Sequence, residues 1–354
     1  MRLAVNLGYW DRADAAHDMV AIAQEADRLG YDSVWVAEAY GSDAPSMLAW
    51  IGALTERIHL GSAVMQIPAR TPAMTGMTAA TIDTMSGGRF RLGLGVSGPQ
   101  VSEGWHGVRF TSPLARTRDY VEIVRSVLRR DRVAHDGPHY ELPLPDGPGK
   151  ALKLGSRPLR SEIPVYLAAV GPRNLGLTGE IADGWLAIFL SPEHAGEQIE
   201  VISAARRAAG RGTEQDPMAG FDVVSATPVV LVDDVAAAAD LLRDYCALYI
   251  GGMGSRDQNF YNHLACRMGF EEEAARIQDL YLGGHHREAA AAVPLEFIDE
   301  TALLGSPQRV AKRLRRYEDA GVTTLAVATG GRMTREQATA TLDVLAKVHQ
   351  IPAR

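Results

Sequence analysis

The chain holds only two cysteines, Cys246 and Cys266, among 354 residues. They lack both zinc-ligand spacing and the density of a disulfide scaffold, which leaves two inert thiols in a reducing compartment as the expectation. Long apolar runs are missing too: no stretch approaches the ~20 residues of a membrane helix. The opening run is cut by Asn6 and Gly8, too short for a signal h-region, so a cytoplasmic protein that does not engage a membrane is expected. There is no excess of basic charge. Lys and Arg number 36 against 43 Asp and Glu, and the basic residues are scattered without interleaved aromatics, which argues against a nucleic-acid partner. The ten histidines form no metal motif. His285 and His286 are adjacent and diverge on any regular element, and His135 and His139 lie in a Pro/Gly-rich stretch with no third ligand, so no metal is expected. No G-x-S-x-G elbow is present, and no cysteine sits beside a base, which removes the common nucleophilic hydrolases.

What is present is an alternation of short, β-branched apolar runs with longer stretches of helical period, the pattern of parallel β-α-β units. Strands are predicted at 3–7, 33–37, 58–64, 90–95, 164–168, 185–190, 221–232 and 323–328. Helices are predicted at 14–29, 72–85, 113–130, 171–182, from about 191 to 210, 235–249 and 334–348. Eight strands with no opposing apolar domain predict an α/β protein, a closed (β/α)8 barrel in one domain spanning 1–354. Two segments interrupt it: a Pro/Gly-rich excursion at 131–163, with a strand-like patch at His139–Leu142, and a helical insertion at 250–295 after the seventh strand. An insertion there lies on the ligand side of a barrel and would cover it as a lid.

In such a barrel the site forms at the C-terminal strand ends. Those ends carry Asn6 with Gly8, Tyr9 and Trp10; Glu38; residues 64–67; Gly95, Val96, Ser97 and Gly98; Ala169 through Asn174; and Phe189, Leu190 and Ser191. Val170-Gly171-Pro172-Arg173-Asn174 joins a strand end to a helix start, where free N–H groups can face a phosphate and Arg173 can add charge. Gly93-x-Gly95-x-Ser97-Gly98 is not a Rossmann fingerprint, because it does not follow the first strand. Glu38 closes an apolar strand and must face the mouth or be paired. Asp43 and Asp183 read as structural. Trp105 and His106, between Gly104 and Gly107, could supply a substrate wall and a proton donor, or a packing anchor and a surface residue.

These residues also add up to a family pattern. Met85-Ser86-Gly87-Gly88-Arg89 followed by Phe90-Arg91-Leu92-Gly93-Leu94-Gly95 resembles the SGGR-x-x-LGLG segment of the luciferase-like superfamily. Val34–Glu38, Leu60–Val64 and Ile181–Trp185 fit its other landmarks in order. Gly95–Val101 with Gly104–Gly107, and Tyr249–Gly254, resemble actinobacterial coenzyme F420-dependent oxidoreductases, which are similar to methylenetetrahydromethanopterin reductase.

The resemblance implies a (β/α)8 barrel with F420 at the strand tips. It places the deazaflavin ring against a bulge with a non-prolyl cis peptide at Ala63–Val64, the phosphate near Val170, Gly171 and Pro172, and Glu38 by the polar edge of the ring. Cofactor-binding residues are then Glu38, Ala63, Val64, Gly95, Val96, Ser97 and Ala169 through Asn174. Tyr9, Trp10, Trp105 and Met253 would contact substrate, with His106 and Glu38 as catalytic groups. The sequence departs from the pattern where Ala39 replaces the histidine that follows the second strand in many members, and where a fourth-loop glutamate is replaced near Pro99. The implied function is hydride transfer from reduced deazaflavin to a C=C or C=N bond of a small molecule in a homodimer. The alternatives are an FMN-dependent monooxygenase using O2 with a partner reductase, and a non-catalytic flavin or F420-binding protein.

Overall fold

The computed structural model describes residues 1–10, 15–329 and 333–349. Eight parallel strands close on one another: β1 (Arg2–Gly8), β2 (Ser33–Val36), β3 (His59–Ser62), β4 (Phe90–Gly95), β5 (Val165–Ala168), β6 (Gly184–Ile188), β7 (Asp222–Val230) and β8 (Thr324–Ala328). Each pairs with its neighbour in sequence, and β8 also pairs with β1, Arg2 opposite Thr324 and Asn6 opposite Ala328. The fold is the expected (β/α)8 barrel. Its strands read as continuous apolar runs because helices cover the outside while side chains fill the inside.

The barrel interior packs Ala4, Trp35, Tyr166, Leu186, Val224 and Ala326. Trp35 is completely buried and donates its indole N–H to Ser33 Oγ at 3.0 Å. Gly61 on the adjacent strand makes room for it, since a Cβ there would fall 2.2 Å from the Trp35 ring. Polar side chains close the N-terminal end: Arg91 reaches Asp32 at 2.6 Å and Asp222 at 4.0 Å, and the Tyr166 hydroxyl donates to Asp222 at 3.0 Å.

Several boundaries differ from the sequence reading. The third strand stops at Ser62 rather than running to Val64; the chain kinks, and Met65–Gln66 rejoins the sheet beside Leu94 and Gly95. The sixth strand ends at Ile188, and Phe189 takes a left-handed φ of 52°. The fourth loop holds a short helix, Pro99–Gly104. The helix expected at 235–249 is broken into Val235–Asp240, Arg243–Ala247 and a π-turn, Leu248–Gly252. The first helix is described from Ala15, Asp14 lying outside the described residues.

In the 131–163 segment, His135–Asp136 and Glu141–Leu142 pair antiparallel. Beyond the π-turn come helices Phe260–Arg267, Glu271–Leu282, His286–Ala291 and Leu295–Thr301. Leu303–Leu304 then adds a short strand to β7 at Val229 and Val230, and helix Pro307–Asp319 leads to β8. These helices share a core of their own, built on Phe189 at the tip of β6 and including Ile250, Leu264, Ile277 and Phe297. Among the described residues, no helix is long and apolar enough to cross a membrane.

Candidate active site

The kink after β3 organises the mouth of the barrel. The Ala63–Val64 peptide is cis. Val64 lies over Gly95 at the end of β4, where an added Cβ would come within 2.6 Å of Val64 Cγ2, so a residue without a side chain is required there. Ala63, Val64 and Ala168 pack on the interior layer of the barrel, which brings the tips of β3 and β5 to one opening. Val96 packs against the main core, and Ser97 takes φ 62° as the chain turns into Gly98 and helix Pro99–Gly104.

Glu38, at the end of β2, is 9% exposed, and its carboxylate is fully engaged. It accepts from Gln66 N–H at 2.9 Å and Ala44 N–H at 3.3 Å, and it forms an ion pair with Arg70. Arg70 also pairs with Asp43, which caps the helix Ala44–Ala53 through Ser46 N–H. Burial works against the charge on Arg70, yet the Glu38 hydrogen bond and the charges of Glu38 and Asp43 outweigh it and raise the guanidinium above its ordinary range. The Arg70 turn is held from behind by Tyr120, whose hydroxyl donates to the Arg70 carbonyl at 3.2 Å. Glu38 thus ties β2 to the kinked segment rather than presenting a free acid or base.

The same segment reaches the fourth loop. Gln66 is 3% exposed, and its Oε1 lies 3.3 Å from His106 Nε2; in the tautomer protonated at Nε2, His106 donates to it. His106 is half-buried, whereas its neighbour Trp105 is 67% exposed. Of the other residues expected to meet substrate, Tyr9 lies against Gly41, Trp10 packs on the main core and Met253 ends the π-turn half-buried.

The carbonyls of the fifth loop are each held by a side-chain donor. Asn174 Nδ2 donates to Ala168 O at 3.2 Å, Trp185 Nε1 to Ala169 O at 2.9 Å, and Arg267 of the insertion to Val170 O at 3.0 Å. Helix Pro172–Ile181 then begins with no side-chain cap. A Cβ on Gly171 would meet nothing within 4 Å, so there is open space beside the start of this helix, and Arg173 there is exposed. The residues present therefore fit a planar ring against Val64 and a phosphate at Gly171. Sequence reasoning missed Arg70 and Arg267, and it placed Gln66 among the strand ends without a role; each acts through a partner at least 28 residues away in the chain.

A family model described as luciferase-like monooxygenase matches residues 3–324. The chain belongs to that family. This luciferase-like chain is 44% identical, over 93% of its own length and 95% of the relative's, to a Mycobacterium tuberculosis protein provisionally named as a coenzyme F420-dependent oxidoreductase. It is 29% identical to the 5,10-methylenetetrahydromethanopterin reductase of Archaeoglobus fulgidus, over 84% of this chain and 85% of that one. In three dimensions it matches the coenzyme F420-dependent tetrahydromethanopterin reductase of Methanopyrus kandleri with a TM-score of 0.80 over 98% of this chain and 97% of the other, at 22% identity. At that identity the structural likeness speaks for the fold.

Proposed function

We propose that this luciferase-like chain is an F420-dependent oxidoreductase that transfers a hydride between the deazaflavin and a small unsaturated molecule. The observation that carries the reading is the 44% identity, running nearly end to end, with a relative provisionally named as an F420-dependent oxidoreductase. The mouth supports it. Ala63 and Val64 offer an apolar shelf backed by Gly95, while Gly171 and the helix start at Pro172 leave N–H groups free for a phosphate, with Arg173 adding charge at short range. When bound, the deazaflavin supplies the hydride chemistry, and the protein supplies position and electrostatics.

The residues of the chain then divide the work. Glu38, charge-paired with Arg70, fixes the shelf relative to β2. Ser97 and Val96 line the fourth strand tip, and Asn174 braces the fifth loop. His106, oriented by Gln66 through Nε2, would hold or deliver a proton at its other ring nitrogen, Nδ1. Tyr9, Trp10, Trp105 and Met253 are the side chains we assign to contact with substrate.

Fluorescence titration with F420 and with FMN tests the cofactor. Saturable F420 binding together with F420H2 oxidation in the presence of an unsaturated acceptor is the expected result. Tight FMN binding with oxygen uptake would sink it in favour of the monooxygenase reading, and saturable binding without turnover in favour of a carrier. His106→Asn is expected to lower the F420H2 oxidation rate by about 10²-fold or more while leaving F420 binding in place.

A further inference from the structure

Beside the kink lies a pocket that the reading above does not use. It is lined by Ile67, Pro68 and Val96 on the strand side and by Arg109, Thr111 and Arg116 on the fourth-loop side. It is shallow and open to solvent, and its enclosed part holds little more than one water molecule, so an anion would sit across its mouth rather than inside it.

The charges around it are unbalanced. Among the described residues, no carboxylate lies within ion-pair distance of Arg109 or Arg116. Arg116 Nε is buried with no hydrogen-bond partner, an arrangement that is costly unless a ligand completes it. The nearby Tyr140 phenol feels the Arg116 charge but is held above its ordinary range by burial, so it does not serve as a counter-ion. Glu103, the acidic side chain of the same loop, is turned to the Phe110 N–H at 3.0 Å. The pocket also receives the start of helix Pro113–Leu128, whose first residues are uncapped because Ser112 makes no side-chain hydrogen bond. Its positive end adds to the two arginines.

We infer that Arg109 and Arg116 form a seat for a phosphate or carboxylate group of the ligand that occupies the mouth, separate from the helix start at Gly171. A guanidinium presents paired N–H donors that match both anions, and Ile67, Pro68 and Val96 give the contact an apolar floor. Two sources share this chemistry: the acidic tail of the cofactor and an acidic substrate. Only the choice between them rests on the oxidoreductase reading.

Calorimetric titration of inorganic phosphate into the full chain at low ionic strength tests the seat, with wild type, R109Q and R116Q compared. Phosphate uptake that weakens about tenfold or more in both variants is the expected result. Arg109 is exposed, so R109Q keeps the test open should R116Q fail to fold. Absence of saturable uptake by the wild type, or uptake unchanged in R109Q, would overturn the inference. F420 and its phosphate-free deazaflavin riboside then identify the source. Weaker binding of F420 alone in the variants assigns the seat to the cofactor, and unchanged binding of both with phosphate uptake still lost assigns it to an acidic substrate. Failure of the wild type to bind F420 would count against the oxidoreductase reading only, because the phosphate titration does not involve the cofactor.

Discussion

Glu38 shows how much one side chain can determine at this mouth. It is the acceptor common to the helix start at Ala44, the kinked segment at Gln66 and the guanidinium of Arg70. Glu38→Gln would keep its size and remove its charge, leaving a half-buried arginine with Asp43 as its remaining carboxylate. A loss of about 2–3 kcal/mol in urea unfolding is expected, together with weaker F420 binding because the shelf loosens. Gly93 is equally constrained: an added Cβ would fall 1.8 Å from the Ser62 carbonyl, so Gly93→Ala must part β3 from β4. About 3 kcal/mol or more is expected, read as a fall in melting temperature. Glu38 was legible because a carboxylate at the end of Val34–Ala37 demands a partner. Arg70 was not, because its sequence surroundings give no sign of a contact 32 residues back.

Elements were legible where period and punctuation agreed. The eight strands stand out as apolar runs between amphipathic stretches, and Thr334 with Gln337 makes a capping box at the start of Arg335–Val348. The stretch 235–249 misled because its apolar spacing is continuous, while the breaks arise from tertiary packing at Phe189 and the π-turn. Helix Pro307–Asp319 was overlooked although Ser306, Pro307 and the spacing of Val310, Leu314 and Tyr317 all announce it. The π-turn frees carbonyls that two asparagines satisfy: Asn259, fully buried, donates to Tyr249 O at 3.0 Å and Ile250 O at 2.9 Å and accepts from Tyr261 and Asn262 N–H, and Asn262 Nδ2 also donates to Ile250 O at 3.2 Å. Asn259→Ala would remove the side-chain donor to Tyr249 O and the acceptor for the Tyr261 and Asn262 N–H groups, while Ile250 O keeps Asn262 Nδ2. A cost of about 2–4 kcal/mol is expected, with faster amide exchange confined to 248–268 if the segment opens locally.

At the scale of the whole molecule, the ionic plug at the N-terminal end of the barrel sets an acid limit. Burial pushes the Asp32 carboxyl up, but the charge and hydrogen bond of Arg91, joined by Arg2, hold it below its ordinary value. As pH falls the unfolded chain takes up this proton first, so the contribution is complete above about pH 4 and is lost as pH drops toward the lower folded value. Asp32→Asn is therefore expected to lower stability near neutrality by about 2–3 kcal/mol and to flatten the acid limb of a stability-against-pH curve.

The position of β8 bears on the order in which the molecule can be made. It sits between β7 and β1, and its pairing with β1 joins residues 322 positions apart, Arg2 with Thr324. A nascent chain leaving the ribosome thus cannot close its barrel until Thr324–Ala328 emerges, and until then the edges of its first and seventh strands lack the partner that finally joins them.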